Sequence, residues 1–256
     1  MSEHPILEVE GLSRDFGGIR ALSDVSFSLR KDHVTAMIGP NGAGKTTFVN
    51  VLLGVHPPTA GRARFEGREV GHLPPHEKAA LGIARTFQLE ELFTSMTVLE
   101  NALVGCHTKS RGGLFATGLR LPGARREERA LRERALENLG SVGLADKASL
   151  PVTKLPLGER KLVGIARALG MNPKLLMLDE PAGGLAAHEV DRLADLVRSL
   201  VARGIAVFLI EHNMPFVMSL ADRVVVLNAG RKIADGTPDE VRADEGVIKA
   251  YLGEDA

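Results

Sequence analysis

The sequence has a single cysteine, Cys106, and this scarcity excludes a framework of disulfide bonds. It is typical of a protein from a reducing compartment, in which we expect Cys106 to be a small buried hydrophobic residue rather than a reactive thiol. Net charge is also missing, because 32 lysine and arginine residues balance 32 aspartate and glutamate residues. This balance does not indicate a protein that binds nucleic acid.

Long apolar runs are absent as well. The longest are short pieces such as VVVL and LLML, far below the roughly 20 residues that cross a bilayer as a helix. The first residues, MSEHPILEVEG, show no basic segment followed by an apolar run, so we expect no secretory signal. These absences predict a cytoplasmic protein whose role at a membrane, if it has one, comes through a partner.

The sequence does contain short strands that alternate with helical patterns. Alternating apolar and polar residues predict half-exposed antiparallel strands at 6–13 and 25–29, and GRARFEG at 61–67 predicts another short strand. Continuous apolar segments predict strands buried on both faces, at 34–39, 175–181 and 205–212. The remaining predictions are a helix over Lys45–Leu53, an amphipathic helix over 188–203 and a hairpin over 223–236.

This alternation favours an α/β core with a mainly parallel sheet and an antiparallel β part. From about residue 90 to residue 166 the pattern becomes predominantly helical, which predicts an inserted helical subdomain. Within this region, segment 107–134 is rich in arginine. Two interpretations remain open for it: a solvated helix with pairs of opposite charge, or a surface that faces anionic lipid or a partner.

One segment carries a specific signature for phosphate binding. GPNGAGKTT at 39–47 fits the pattern G-x-x-x-x-G-K-[ST], with an apolar strand before it and a helix after it. Gly39 and Gly44 let the backbone curl so that amide N–H groups surround phosphate oxygens. Lys45 reaches the terminal phosphates, Thr46 offers a hydroxyl to Mg²⁺, and the helix adds its positive N-terminal end. This P-loop predicts a nucleotide site.

Two other buried strands end in polar residues. Asp179 stands at the end of the strand LLMLD, where it can bind Mg²⁺ through its water shell, and Glu180 follows, where it can accept a proton from an attacking water. His212 follows the strand IAVFLIE. Because ligands of such sheets bind at the carboxyl ends of the strands, we expect His212 to contact the γ-phosphate.

These motifs, in this order, make nearly the whole chain resemble an ATP-binding subunit of ABC transporters. The finer resemblance is to the LivG type of branched-chain amino-acid transporters. It rests on ALSDVSFSL, on GIARTFQLEELFTSMTVLENALVG, on the basic segment GARREERALRERALE, and on the tail GRKIADGTPDEVRADEGVIKAYLGE. The family implies one ABC ATPase domain over 1–256, with the helical subdomain inserted between Gln88 and the strand that ends at Asp179.

The resemblance also implies roles for particular residues. Phe16 would stack on adenine, Gln88 would contact Mg²⁺ or the attacking water, and His212 would hold the γ-phosphate. Glu180, His212 and Gln88 would form the catalytic set, and Thr46, Gln88 and Asp179 would hold Mg²⁺, partly through water. The residues that bind ATP would be Phe16, Gly39, Pro40, Asn41, Gly42, Ala43, Gly44, Lys45, Thr46, Thr47 and Asp179.

The implied partners lie on both sides of a membrane. A second ABC ATPase subunit, LivF-like and different from this chain, would pack head to tail so that each ATP lies between the P-loop of one subunit and the signature of the other. Two permease subunits would hold the pair peripherally on the inner face of the cell membrane. An extracytoplasmic solute-binding protein would act indirectly. No nucleic acid is expected.

This chain departs from the family in the signature itself. The family reads Leu-Ser-Gly-Gly-Gln or Leu-Ser-Tyr-Gly-Glu, whereas this chain has Leu155, Pro156, Leu157, Gly158 and Glu159. Proline lacks both the serine hydroxyl, which would donate to the γ-phosphate across the interface, and a backbone N–H. Ala186 also replaces a family Asp or Asn. Because the signature serves the partner's ATP, we expect a heterodimer with unequal sites, in which the site on this chain's own P-loop is intact.

Several functions remain open at this stage. The leading one is ATP hydrolysis that powers import of branched-chain amino acids. Urea, other amino-acid or lipopolysaccharide ABC transport ATPases use similar subunits. A regulatory subunit that binds ATP with little turnover is favoured by Pro156 and Ala186 but opposed by Glu180 and His212. A soluble ABC ATPase of DNA repair or translation lacks support, since the sequence has one ABC domain, no coiled-coil insertion and no excess of basic charge.

Overall fold

The computed structural model describes residues 5–86, 92–107 and 122–252. The strands in this part of the chain are β1 (Leu7–Phe16), β2 (Ile19–Leu29), β3 (Val34–Ile38), β4 (Ala60–Phe65), β5 (Arg68–Glu69), β6 (Ile83–Arg85), β7 (Leu175–Asp179), β8 (Ala206–Ile210), β9 (Arg223–Asn228) and β10 (Arg231–Gly236). The helices are α1 (Lys45–Leu52), α2 (Pro75–Leu81), α3 (Val98–Cys106), α4 (Pro122–Ser141), α5 (Leu157–Gly170), α6 (Ala187–Ala202), α7 (Met214–Leu220), α8 (Pro238–Ala243) and α9 (Glu245–Leu252).

A six-stranded sheet carries the three strands that the sequence marked as buried. Its order is β10-β9-β3-β8-β7-β6, and β3 runs parallel to both β8 and β9, as β7 does to β8. Every residue of β3 and β8 is buried, as expected for strands covered on both faces. The predicted parallel sheet is therefore confirmed, and it brings the carboxyl ends of β3, β8 and β7 to one edge.

The hairpin at the end of this sheet is also confirmed. β9 pairs with β10 in antiparallel register, with Asn228 opposite Arg231. The two residues between them, Ala229 and Gly230, both have positive φ, at 45° and 75°. Positive φ at both positions is the mark of a tight turn whose twist matches that of the strands.

In a second sheet the strand order is β2-β1-β4-β5, and neighbouring strands are antiparallel. Its apolar residues join those of the first sheet in a core that includes three aromatic rings. The ring centroid of Phe27 lies 5.2 Å from that of Phe48, in α1, and 5.9 Å from that of Phe208, in β8. The P-loop helix is thus fixed to both sheets by packing of its buried face.

The chain forms two compact units. The first comprises residues 1–83, 174–183 and 190–256, and the second residues 84–173 and 184–189. The second unit contains α3, α4 and α5. α3 begins with a capping box, in which Thr97 and Glu100 each satisfy the other's backbone N–H. α3 and α5 approach closely, since a Cβ on Gly105 would overlap the backbone of Arg167.

Cys106 is fully buried in α3, which confirms its interpretation as a core residue, and burial raises the pKa of its thiol. In the described residues no helix is long and apolar enough to cross a membrane. Segment 107–134 lies partly outside the described residues. In the part of α4 whose side chains are described, Arg126, Arg129 and Arg132 are exposed.

Candidate nucleotide site

The P-loop follows β3 directly and is shaped by three glycines with positive φ. The φ angles are 153° at Gly39, 79° at Gly42 and 102° at Gly44. A Cβ on Gly39 would overlap the carbonyl oxygen of Leu227, and a Cβ on Gly44 would lie 2.9 Å from the carbonyl oxygen of Ala21. The loop therefore requires glycine at Gly39 and Gly44 both for its backbone conformation and for the space around it.

The helix after the loop begins with no side-chain cap. Gly44 is the N-cap of α1, so the first amide groups of the helix receive no hydrogen bond from the capping residue. The positive end of the helix dipole therefore lies at the P-loop. The arrangement fits an anionic ligand such as a phosphate chain. Asn41, Gly42 and Thr46 are exposed at this end of the helix.

Lys45, the first residue of α1, folds back over the loop. Its Nζ donates to the carbonyl oxygens of Gly39, at 2.6 Å, and Pro40, at 3.0 Å. Burial lowers the pKa of Lys45, and the negative charges of Glu180 and Asp179 oppose that shift. The ammonium group is thus held by the carbonyl oxygens of the loop, and the two carboxylates favour its charged form.

Glu180 is placed by an unusual backbone conformation. Its φ is 45°, in the left-handed region that residues with a side chain rarely adopt. The N–H of Glu180 donates to the carbonyl oxygen of Ile210 at 2.9 Å, which joins the turn after β7 to the end of β8. Strained residues of this kind occur often at functional sites. The side chain of Glu180 is 53% exposed, so water reaches it.

His212 and Glu180 face each other at the same edge of the sheet. Nδ1 of His212 lies 3.6 Å from Oε1 of Glu180, and the His212 side chain is 60% exposed. The two residues follow neighbouring parallel strands, β8 and β7, and the P-loop follows β3 on the other side of β8. The structure therefore brings Lys45, Asp179, Glu180 and His212 together at the carboxyl edge, where ligands of such sheets bind.

Phe16 lies at the end of β1 and is 36% exposed. The guanidinium carbon of Arg14 is 4.4 Å from the ring centroid, and the ring of His56 makes an edge contact with the Phe16 ring at 5.1 Å. Arg14 also donates to the carbonyl oxygen of Pro57 at 2.8 Å. These neighbours hold the phenyl ring in place while part of it remains accessible.

The signature residues belong to the second unit. Helix α5 begins at Leu157, with Pro156 as its N-cap in an extended conformation. Proline is tolerated at the N-cap because the N–H of this position takes no part in the helical hydrogen bonds. The carbonyl oxygen of Pro156 accepts from the N–H of Arg160 at 3.0 Å. No side chain at the N-cap satisfies the first amide groups of α5.

The loop 184–189 lies against the signature turn within the same unit. A Cβ on Gly158 would overlap the carboxylate of Glu189, and a Cβ on Gly184 would lie 3.0 Å from Cδ2 of Leu157. Glu189 accepts from the N–H of Ala186 at 2.9 Å, as the third residue of a capping box does. Alanine at position 186 has no side-chain oxygen, so the reciprocal hydrogen bond of the box, from the N–H of residue 189 to a side chain at position 186, cannot form.

Gln88, which the sequence analysis placed in the catalytic set, lies outside the described residues. Two buried charged residues that the sequence analysis did not single out contact the elements that carry the site. Glu211 is a buried carboxylate between the turns after β7 and β8, and Lys78 is a buried lysine whose Nζ donates to the carbonyl oxygen of Leu52 at the C-terminal end of α1. The sequence contained a usable signal for Glu211, which is a charged residue at the end of an otherwise apolar segment.

Comparisons with known proteins agree on the class. The family model described as ABC transporter matches residues 22–183, and the model described as branched-chain amino acid ATP-binding cassette transporter matches residues 231–256. The chain is 44% identical over 251 residues to the high-affinity branched-chain amino acid transport ATP-binding protein BraF of Pseudomonas aeruginosa, with 98% of each chain covered. It is 40% identical over 251 residues to LivG of Escherichia coli K12, also with 98% of each covered.

Solved structures agree with this result. A nucleotide-free ATP-binding cassette from an ABC transporter matches with a TM-score of 0.87 and 34% identity, covering 98% of this chain and 100% of the other. An ATP-binding cassette in its ADP conformation matches with a TM-score of 0.86 and 35% identity, covering 98% and 99%. The fold and the site thus define an ATP-binding cassette with ATPase activity.

The chain belongs to the ABC transporter family. Within that family it is an ATP-binding, ATP-hydrolysing subunit of the type that the sequence analysis expected, so both the predicted family and the predicted fold class are confirmed.

Proposed function

We propose that this chain powers the import of branched-chain amino acids, as the names of its relatives and the match of residues 231–256 suggest. It would act as a peripheral subunit on the cytoplasmic face of the cell membrane, held there by two permease subunits and served by an extracytoplasmic solute-binding protein. The observation that carries the ATPase part is the meeting of Lys45, Glu180 and His212 at one sheet edge. Residues 90–166 would form the inserted helical subdomain that contacts the permease.

The P-loop residues Gly39 to Thr47 would bind the phosphates of ATP. Their amide groups and Lys45 supply positive charge, and the rigid glycine turns mean that little reorganisation is needed when the phosphates arrive. Phe16 would stack on adenine through its accessible part, with Arg14 behind it fixing the ring. Each of these groups binds nucleotide whether or not the γ-phosphate is present.

Glu180 and His212 would act at the γ-phosphate. Glu180 orients the attacking water and accepts its proton at a carboxylate oxygen. His212 would donate a hydrogen bond to the γ-phosphate, and the 3.6 Å between its Nδ1 and Oε1 of Glu180 supports a role for both side chains at the same reacting group. Lys45 neutralises charge that develops on the phosphate oxygens. Gln88 would help to orient the same water.

Mg²⁺, when bound, would neutralise charge on the phosphate oxygens. The residues present fit it, because Thr46 is exposed at the start of α1 and Asp179 ends β7 beside the P-loop lysine. A hydroxyl and a carboxylate, with water and phosphate oxygens, are the ligand types that Mg²⁺ prefers. Gln88 would complete the set, partly through water.

The partner would be a second ATPase subunit of the LivF type, packed head to tail. Residues 155–159 and the loop 184–189 would then serve the partner's ATP. At the signature this chain offers backbone groups and a helix N-terminus, without the hydroxyl that Pro156 has displaced. Loss of one hydrogen bond to a charged group costs about 1.5–3 kcal/mol, so we expect the partner's site to be weakened and the site on this chain's P-loop to be normal.

The experiment is purification of the intact complex through a tag on this chain, identification of its subunits, and reconstitution into proteoliposomes. We expect ATP hydrolysis to be stimulated by leucine, isoleucine or valine together with the solute-binding protein. If urea or another solute stimulates hydrolysis and the branched-chain amino acids do not, the proposed substrate is wrong. An assembled complex in which a Glu180→Gln variant of this chain hydrolyses ATP as fast as the unmodified one would instead support the regulatory alternative.

A further inference from the structure

The two loops that carry Glu180 and His212 are joined by one buried side chain. Glu211, between β8 and His212, is fully buried, and its carboxylate accepts three backbone hydrogen bonds. Oε1 accepts from the N–H of Ala182 at 2.8 Å. Oε2 accepts from the N–H of His212 at 2.8 Å and of Asn213 at 3.0 Å. One oxygen thus holds the turn after β7, and the other holds the turn after β8.

The turn after β7 is fixed at two points as a result. The N–H of Glu180 is bound to the carbonyl oxygen of Ile210, and the N–H of Ala182 is bound to Glu211. The backbone N–H of Glu211 itself donates to the carbonyl oxygen of Met37 at 3.3 Å, in the strand that leads into the P-loop. Glu211 therefore follows β8 directly and forms hydrogen bonds both with β3 and with the turn after β7.

A carboxylate is suited to this place for a chemical reason. Its two oxygens can accept from opposite sides, and hydrogen bonds to a charged acceptor are about twice as strong as neutral ones. Glutamine has one acceptor oxygen, so its NH₂ group would face a backbone N–H, either at Ala182 or at His212 and Asn213. Aspartate keeps the charge but is one methylene shorter, so it reaches one side or the other.

We propose that Glu211 is a positioning residue, which holds Glu180 and His212 in register with each other for attack on the γ-phosphate. The inference rests on the proposed roles of Glu180 and His212. In this role Glu211 does not contact the substrate and acts only through Glu180 and His212. Its effect should appear in the chemical step and in the recognition of the γ-phosphate, and it should be absent from the binding of ADP, which the P-loop holds without either loop.

The test compares Glu211→Gln with Asn213→Ala in the assembled complex. Asn213 caps α7 by accepting from the N–H of Phe216 at 3.1 Å, so its loss weakens the same turn but leaves all three bonds to Glu211. We expect Glu211→Gln to lower kcat about tenfold or more while the Kd for ADP changes less than twofold. Asn213→Ala should leave kcat near its original value.

Two further variants separate the possible outcomes. Glu211→Asp should also lower kcat, and it replaces Glu211→Gln as the test if the glutamine variant does not fold. In a Glu180→Gln background, Glu211→Gln should lower turnover no further, because both changes act on one step. A folded Glu211→Gln complex with the original kcat, or one that loses ADP affinity in proportion to kcat, would overturn the inference. An unimpaired Glu180→Gln complex would instead overturn the proposed catalytic role of Glu180.

Discussion

The P-loop and the signature turn both depend on a glycine with no room for a side chain, but they use it differently. At Gly39 the neighbour is the backbone of β9, through the carbonyl oxygen of Leu227, and the glycine sets the shape of the loop that we propose binds phosphate. At Gly158 the neighbour is the side chain of Glu189, and the glycine lets loop 184–189 rest on the first turn of α5. The backbone oxygen next to Gly39 cannot move aside, whereas the carboxylate next to Gly158 can rotate away.

The two regions also differ in the chemistry of their side chains. The P-loop edge keeps Lys45, Thr46, Glu180 and His212, whereas the signature region has Pro156 where the family has serine and Ala186 where the family has Asp or Asn. Both regions keep a crowded glycine and a helix N-terminus that no side chain caps. Under the proposed function, hydrolysis at this chain's own P-loop would depend on side chains that the sequence retains, whereas its contribution to a partner would rest on backbone groups.

The largest effect is expected where the comparison is sharpest, at Gly39. Gly39→Ala places a Cβ against a backbone oxygen, which cannot move aside, so we expect a loss of about 3 kcal/mol in the free energy of unfolding and loss of ADP binding. Gly42→Ala is the matched control, since its φ is also positive but its Cβ would have nothing within 4 Å. It should cost about 1 kcal/mol. Urea unfolding and calorimetry of ADP binding measure both; equal losses in the two variants would contradict the argument.

A second prediction concerns the far end of the P-loop helix, where Lys78 is buried. Its Nζ donates to the carbonyl oxygen of Leu52 at 2.8 Å, at the C-terminus of α1. Burial lowers the pKa of Lys78 to about 8, against the opposing effect of Glu69. Between that value and the ordinary 10.5, the unfolded chain binds more protons than the folded chain. The free energy of unfolding should therefore rise with pH, by about 2 kcal/mol from pH 8 to pH 10.

Lys78→Met removes the titrating group, so its unfolding free energy should lack this contribution over the same range. Lys174→Met is the control, because Lys174 is half exposed and paired with Glu66 at 2.5 Å, and it should retain the rise. Urea unfolding at pH 8, 9 and 10 measures the slope. A Lys78→Met variant whose stability increases with pH as steeply as that of the unmodified chain would show that Lys78 is not the source.

Much of this site was readable from the sequence because its signals are local. The pattern of glycines and Lys45 at 39–47, and the apolar strands before Glu180 and His212, each occupy a few consecutive residues. Glu211 and Lys78 are different, because Ala182 is 29 residues from Glu211, Leu52 is 26 residues from Lys78, and only the packing of strands and helices brings each pair together. The start of α5 has no strong sequence signal either, because its N-cap is Pro156, which has no side-chain oxygen to cap the helix.

The third prediction tests the chemical half of the comparison. Pro156→Ser restores a hydroxyl at the N-cap of α5, where serine can also satisfy an amide group of the first turn. In the assembled complex we expect ATP turnover to rise, by about ten- to a hundredfold if the partner's site limits the rate. Pro151→Ser, at an exposed proline of the same unit, is the control and should leave turnover unchanged. An unaltered rate in Pro156→Ser would show that position 156 limits neither site.

The smallest effect is expected at Gly158, and it completes the contrast with Gly39. Gly158→Ala meets a carboxylate at the end of a flexible side chain, which can rotate away, so we expect a loss of only about 1 kcal/mol in unfolding free energy. Gly164→Ala, in the same helix with nothing within 4 Å of its Cβ, should be neutral or stabilising. Glu189→Ala should remove most of the cost of Gly158→Ala when the two are combined. If the double variant stays as unstable as the sum of the single ones, the crowding at Gly158 does not come from Glu189, and the signature turn is as rigid as the P-loop.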